Sequence, residues 1–197
     1  MNFMINETLT FFKNSLNDYL QAKSSNTLDE IQEDRVVFIE GEKLDPISFK
    51  MDAISLLLIN LEEEKSLRAP DLYSRTDQNG TSLKTQPEIR LNLYILFVAR
   101  FKQYENSLDH ISLIIQFFQS NRVLNQHNSP NLSNKIHNLS VELITLPFGE
   151  QNEIWSALRT TYHPSVLYKV KMLVFADKNA LSPPKVSSKD TSLREIT

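Results

Sequence analysis

The sequence predicts an α+β fold: a mixed, mostly antiparallel sheet with about three helices packed on it. Three observations lead there. Apolar residues recur at spacings of three and four in the first twenty positions. Residues 88–101 give the cleanest alternation of apolar and polar positions in the chain. The order helix, two strands, strand, helix, strand, helix, strand then runs along the chain, which is an α+β pattern.

The first helix places Ile5, Leu9, Phe12, Leu16 and Leu20 on one stripe, and the polar run Lys23-Ser24-Ser25-Asn26 ends it. Two strand candidates follow, Arg35–Glu40 and Ala53–Leu61, with Gly41 and Asp45-Pro46 between them. The second is apolar on both faces, so it is expected inside a sheet with both sides covered.

Residues 65–87 hold Pro70, Pro87 and Asp77-Gln78-Asn79-Gly80-Thr81 and few apolar side chains. They read as a long exposed loop, a length usually functional or mobile in a compact domain. In the strand that follows, Ile89, Leu91, Leu93, Ile95, Phe97 and Phe101 point one way; Arg90, Asn92, Tyr94 and Arg100 point the other. A second helix aligns Leu108, Ile111, Ile115 and Phe118. Ile114 and Phe117 widen that stripe, so heavy burial is expected. Asn121 and Arg122 end the helix, and Asn125–Asn134 is a polar loop.

Residues 136–148 form another strand, and 150–162 a short helix carrying Ile154, Trp155 and Leu158; Pro164 blocks its extension. The last strand, Val166–Val174, sets Val166, Tyr168, Val170, Met172 and Val174 on one face and Lys169 and Lys171 on the other. The expected division is a core domain at 1–177 and a flexible Ser/Lys/Thr/Pro-rich tail at 178–197.

The chain has 197 residues, enough to bury a core without a metal or disulfide staple. Its net charge of −3 gives no electrostatic case for nucleic acid. It has no cysteine, which removes thiolate chemistry and zinc–cysteine sites and suits a reducing compartment. No segment approaches the roughly 20 apolar residues of a membrane span, and the N-terminus lacks the pattern of a signal peptide. A cytoplasmic origin is therefore expected.

Chemistry is sparse. The histidines His110, His127, His137 and His163 show no metal-ligand spacing. Glu62-Glu63-Glu64 alternate faces on a strand and cannot all converge on one ion. Gly41, Gly80 and Gly149 are too far apart for a phosphate-cradling loop. Ser165 follows His163 by two residues, with no acid placed to orient the imidazole. No enzyme activity, cofactor or metal is expected. Lys169 and Lys171 read either as a solvated strand face or as a basic strip for an acidic partner. Trp155 reads either as a core residue or as an interface anchor. With Arg68 and Arg75 on the long loop, these are the candidate interface residues.

Four stretches resemble the N-terminal domain of tail-terminator, or cap, proteins of extracellular contractile injection systems, particles of the antifeeding prophage and Photorhabdus virulence cassette type. They are Leu57–Glu64; Leu91–Phe97; Ile114–Gln119 leading to Asn128-Ser129-Pro130; and Trp155–Leu158 followed by Tyr162–Leu173. The resemblance covers about residues 4–176 and implies a phage tail-terminator-like fold. It further implies a structural, non-enzymatic role: a homo-oligomeric, six-fold ring that stops inner-tube growth and joins the last sheath layer. Assembly in the bacterial cytoplasm as part of a particle that can be released goes with it. Arg159-Thr160-Thr161 departs from the resemblance, since relatives often have glycines there. A baseplate, adaptor or tail-completion protein of a related machine is the alternative.

Overall fold

A computed structural model describes residues 4–24, 34–39, 47–64, 74–76, 82–84 and 89–174. By contacts the chain divides into two units, Met1–Lys65 with Ile89–Phe175, and Ser66–Glu88 with Ala176–Thr197. Among the described residues, no helix is long and apolar enough to cross a membrane.

The larger unit runs α1 (Met4–Ser24), β1 (Val36–Phe38) and β2 (Ala53–Glu63). In the smaller unit, β3 (Ser74–Thr76) and β4 (Ser82–Lys84) pair as an antiparallel hairpin. The larger unit resumes with β5 (Ile89–Arg100), α2 (Tyr104–Ser120), β6 (Val123–Asn125), β7 (Ile136–Ile144), α3 (Phe148–Ala157) and β8 (Ser165–Val174). Its six strands lie in the order β1-β2-β5-β8-β7-β6. Only the β1–β2 pair is parallel. The sheet is thus mixed and mostly antiparallel, with three helices, as the sequence predicts.

Three expectations need revision. The segment 65–87 contains a hairpin, and Asn79-Gly80 between its strands is a hairpin signal masked by the segment's polarity. The region after α2 contributes the edge strand β6, too short to show a period. In α2 the buried residues are Ser107, Ile114, Phe117 and Phe118, while Leu108 and Ile115 are 44% and 36% exposed. Its buried stripe is therefore rotated away from the predicted one. The expected tail, 178–197, lies outside the described residues.

One sheet face is closed by α1 and α2. Phe12, Leu16 and Leu20 of the predicted α1 stripe are buried there, against Ile54, Leu93, Ile95, Phe97, Tyr168 and Met172. Aromatic rings link the layers: Phe12 meets Phe118 at 5.5 Å, and Phe118 meets Phe97 at 5.5 Å and Tyr168 at 4.5 Å. Such tilted and edge contacts add to the area burial.

Asn17 joins α1 to the sheet edge. Its Nδ2 donates to the Val36 carbonyl at 3.1 Å, and its Oδ1 accepts the Val36 N–H at 2.8 Å. Both outward-facing peptide groups of Val36 are thereby satisfied, so this end of the edge strand offers no backbone pairing site.

Candidate functional site

The other face of the sheet is covered over only part of its length. Cross-strand register resolves it into rows. Leu57, Leu96, Leu167 and Ile144 stand opposite one another across β2, β5, β8 and β7. This apolar row belongs to a second cluster, with Phe49, Trp155, Ile154 and Leu158. Trp155 of α3 is 6% exposed, with its ring 6.0 Å from Phe49 and 5.4 Å from Tyr162.

The next row is polar: Asn60, Tyr94, Lys169 and Glu142. The one beyond it is Glu62, Asn92, Lys171 and Ser140. A register irregularity between Leu58 and Asn60 creates this switch. The extra residue reverses the side-chain parity of β2, so Asn60 and Glu62 share the face of Leu57, while Leu61 turns away.

These rows place acids beside the predicted basic strip. Lys171 pairs with Glu142 at 3.3 Å. Lys169 stands opposite Glu142 and holds its ammonium over the Tyr94 ring at 5.4 Å. The Tyr94 hydroxyl donates to Glu62 at 2.8 Å, and the Asn92 amide to Glu64 at 3.3 Å. The two lysines and Trp155 thus occupy different parts of one face, and the lysine rows carry balancing carboxylates. Strand pairing creates that balance, so the partners of Glu142 and Glu62 were not readable in the linear sequence. Arg75 lies on β3 of the smaller unit, and Arg68 lies outside the described residues.

Beyond Trp155, α3 and the segment after it expose aromatic surface. Phe148 in its first turn is 91% exposed and Tyr162 is 57% exposed; both line a shallow depression with Trp155 and Arg159. Exposed aromatics beside a buried tryptophan are a common interface composition. Arg159 has φ 52°, the left-handed conformation that glycine adopts most readily. The Leu158 N–H bonds the Ile154 carbonyl at 3.0 Å and the Arg159 N–H that of Ser156 at 3.1 Å, which closes the helix end there. The departure at Arg159-Thr160-Thr161 thus places an arginine in a left-handed conformation at the end of α3.

Among the described residues, the histidines form no catalytic constellation. His163 packs edge-on against Phe49 at 5.6 Å. Burial and the Arg100 guanidinium lower its pKa. That setting disfavours the imidazolium that a triad histidine has to form. His110 stacks on Phe101 at 4.1 Å, and burial lowers its pKa against the opposing hydrogen bond to Asn106. Among the described residues, no group of acids and histidines is arranged to hold a metal ion.

The geometry therefore defines an α+β module with one sheet face largely covered by two helices and one partly open face. The Pvc16 N-terminal domain family profile matches residues 8–189, and the chain belongs to that family. Two solved structures share the fold. One is a sheath/tube terminator of an extracellular contractile injection system in the extended state, with 13% identity, a TM-score of 0.50, and coverage of 93% of this chain and 64% of that one. The other is the tube-terminating cap of the anti-feeding prophage, with 16% identity, a TM-score of 0.52, and coverage of 92% and 60%. This chain thus spans somewhat under two thirds of their length. No curated protein matches.

Proposed function

We propose that this chain ends growth of the inner tube and joins the last sheath layer of a contractile, phage-tail-like injection particle. It acts as a structural subunit of a closed, six-fold homo-oligomeric ring and catalyses nothing. The family match over residues 8–189 carries the reading. Its support is the fold shared with a sheath/tube terminator and a tube-terminating cap.

Elementary assembly physics fits that role. A terminator must bind the last layer without offering a surface that extends it, and a heterologous contact stays finite when its rotation closes a ring. The outer strands of the sheet, β1 and β6, are three residues each, and Asn17 covers the first of them. Short, covered edges discourage continued strand addition. The α3 aromatics and the rows holding Lys169 and Lys171 supply contacting surface. Arg68, Arg75 and residues 178–197 are further candidates for contacts with sheath and tube.

Electron microscopy of particles from cells lacking this chain tests the proposal. The expected result is uncapped particles of irregular length, restored by the intact chain, with its density at the end away from the baseplate in six-fold symmetry. Density at the baseplate, or capped particles of normal length in its absence, overturns it. Removing residues 178–197 and reversing both lysine charges test the two contact assignments separately. Unchanged assembly would return the lysines to a solvated strand face.

A further inference from the structure

Helix α2 leaves apolar surface outside the core. Tyr104, Leu108, Ile111 and Ile115 recur at spacings of four, three and four, which aligns them along one side of the helix. Tyr104 is 63% exposed, Leu108 and Ile115 are exposed too, and Ile111 is partly buried against the core. Tyr19 of α1 meets α2 at Phe117, on the flank opposite this stripe. Since α1 is tied to β1 through Asn17 and Val36, the stripe faces the other way, toward β7.

The sheet continues this apolar surface. Leu143 on β7 stands opposite Tyr168 on β8, so the two side chains share a face. Phe118 of α2 covers the Tyr168 ring at 4.5 Å, but one strand further out Leu143 is 48% exposed. A step results, with the outer flank of α2 as its wall and Leu143 on its floor. The wall runs eleven residues, or about 16 Å.

The solvent edge of the wall is acidic. Glu105 and Asp109 stand one turn apart there, and α2 carries no lysine or arginine. Glu105 in the first turn also complements the helix dipole, but Asp109 lies too far along for that. Among the described residues, neither is in an ion pair. An occupant that covers the apolar stripe and brings cations to this edge is therefore complementary to it.

Ridges of side chains at i and i+4 accept the ridges of a second helix. A helix laid beside α2 would cover Leu143 as well and add a third member to the helical layer. A second copy of this chain offers no such helix among the described residues. The apolar stripe of α1 is buried in its own core, and α2 and α3 carry acids without lysine or arginine.

We infer that this step receives an amphipathic helix of another protein, with lysine or arginine beside its apolar stripe. That stripe covers Leu108, Ile115 and Leu143, and the cations meet Glu105 and Asp109. The inference does not depend on the terminator role, because the isolated chain should bind such a helix outside any particle.

The test uses a fluorescent peptide of about fourteen residues, stapled because short helices are marginal in water. Leucines at helical spacing form its stripe, with lysines beside them; a control peptide carries glutamates in place of the lysines. At low salt the intact chain is expected to bind the lysine peptide at least about tenfold more tightly than the control. Glu105→Lys combined with Asp109→Lys should reverse that preference. Leu108→Glu should weaken binding of the lysine peptide at least about tenfold, whereas Phe148→Glu on α3 should leave it unchanged. The chain has no cysteine, so Leu143→Cys supplies a single thiol. Its alkylation should slow when the lysine peptide is bound, and that of Phe148→Cys should not. Equal binding of the two peptides, binding of neither, or an unprotected thiol in Leu143→Cys overturns the inference. So does binding lost through Phe148→Glu, which would move the site to the α3 aromatics. Self-association that Leu108→Glu abolishes also overturns it, assigning the step to a second copy of the chain.

Discussion

The two faces of the sheet are built from the same strands by different rules. On the α1/α2 face, Ile54, Leu93, Ile95, Phe97, Leu139 and Val170 form a continuous apolar layer under two helices. On the α3 face, the apolar row of Leu57, Leu96, Leu167 and Ile144 gives way in one step to rows of amides, lysines and carboxylates. A closed face can be optimised for packing alone. A face left open to water must avoid a broad apolar patch, and its uncovered rows pair opposite charges instead of exposing leucines.

The comparison can be broken most severely on the closed face. Phe97→Ala removes a fully buried ring that touches Phe118 and Tyr168. It should destabilise the domain by about 4 kcal/mol in urea unfolding. A loss below about 1 kcal/mol would mean that this face is not the main core.

Alkaline titration gives the next effect. Burial on the closed face pushes Tyr168 from 10.0 up to about 12. The folded state then holds the neutral phenol while the unfolded chain ionises near pH 10. The associated stability is present below pH 10 and lost between pH 10 and 12, about 3 kcal/mol in all. Tyr168→Phe should flatten this part of the stability–pH curve; an unchanged curve would assign the loss to other groups.

On the open face the effects are smaller, and one has the opposite sign. Arg159→Gly relieves the left-handed backbone at the end of α3 and should stabilise by about 1 kcal/mol, seen as a raised Tm. A lowered Tm would show that the arginine side chain contributes more than its backbone strain removes. Lys171→Ala breaks an exposed pair with Glu142 and should change stability by less than about 0.5 kcal/mol. A larger loss would make the polar rows part of the folding core.

Much of the architecture was legible in local pattern. The alternation from Leu91 to Phe101 identified the face of β5 that packs on α1 and α2, and the stripe Phe12, Leu16, Leu20 identified the buried side of α1. The last strand was read correctly, with Tyr168, Val170 and Met172 inward and the lysines opposite. The α2 stripe was less legible. Its apolar residues cover more of the circumference than one contact can bury, so packing chose Ile114, Phe117 and Phe118 and left Leu108 and Ile115 outside. The candidate site was less legible still, because lysines on β8 meet their acid on β7 and their aromatic ring on β5 only after pairing.

The sequence by itself determined which residues favour helix or strand, which side of most elements is apolar, and that no familiar catalytic motif is present. Those properties follow from side-chain spacing along a local backbone. Only the tertiary structure decided the order β1-β2-β5-β8-β7-β6, the irregularity beside Ile59 that turns Glu62 toward Tyr94, and the apolar groove between β2 and α3. These depend on which distant segments bury each other, and spacing along one segment does not contain that information.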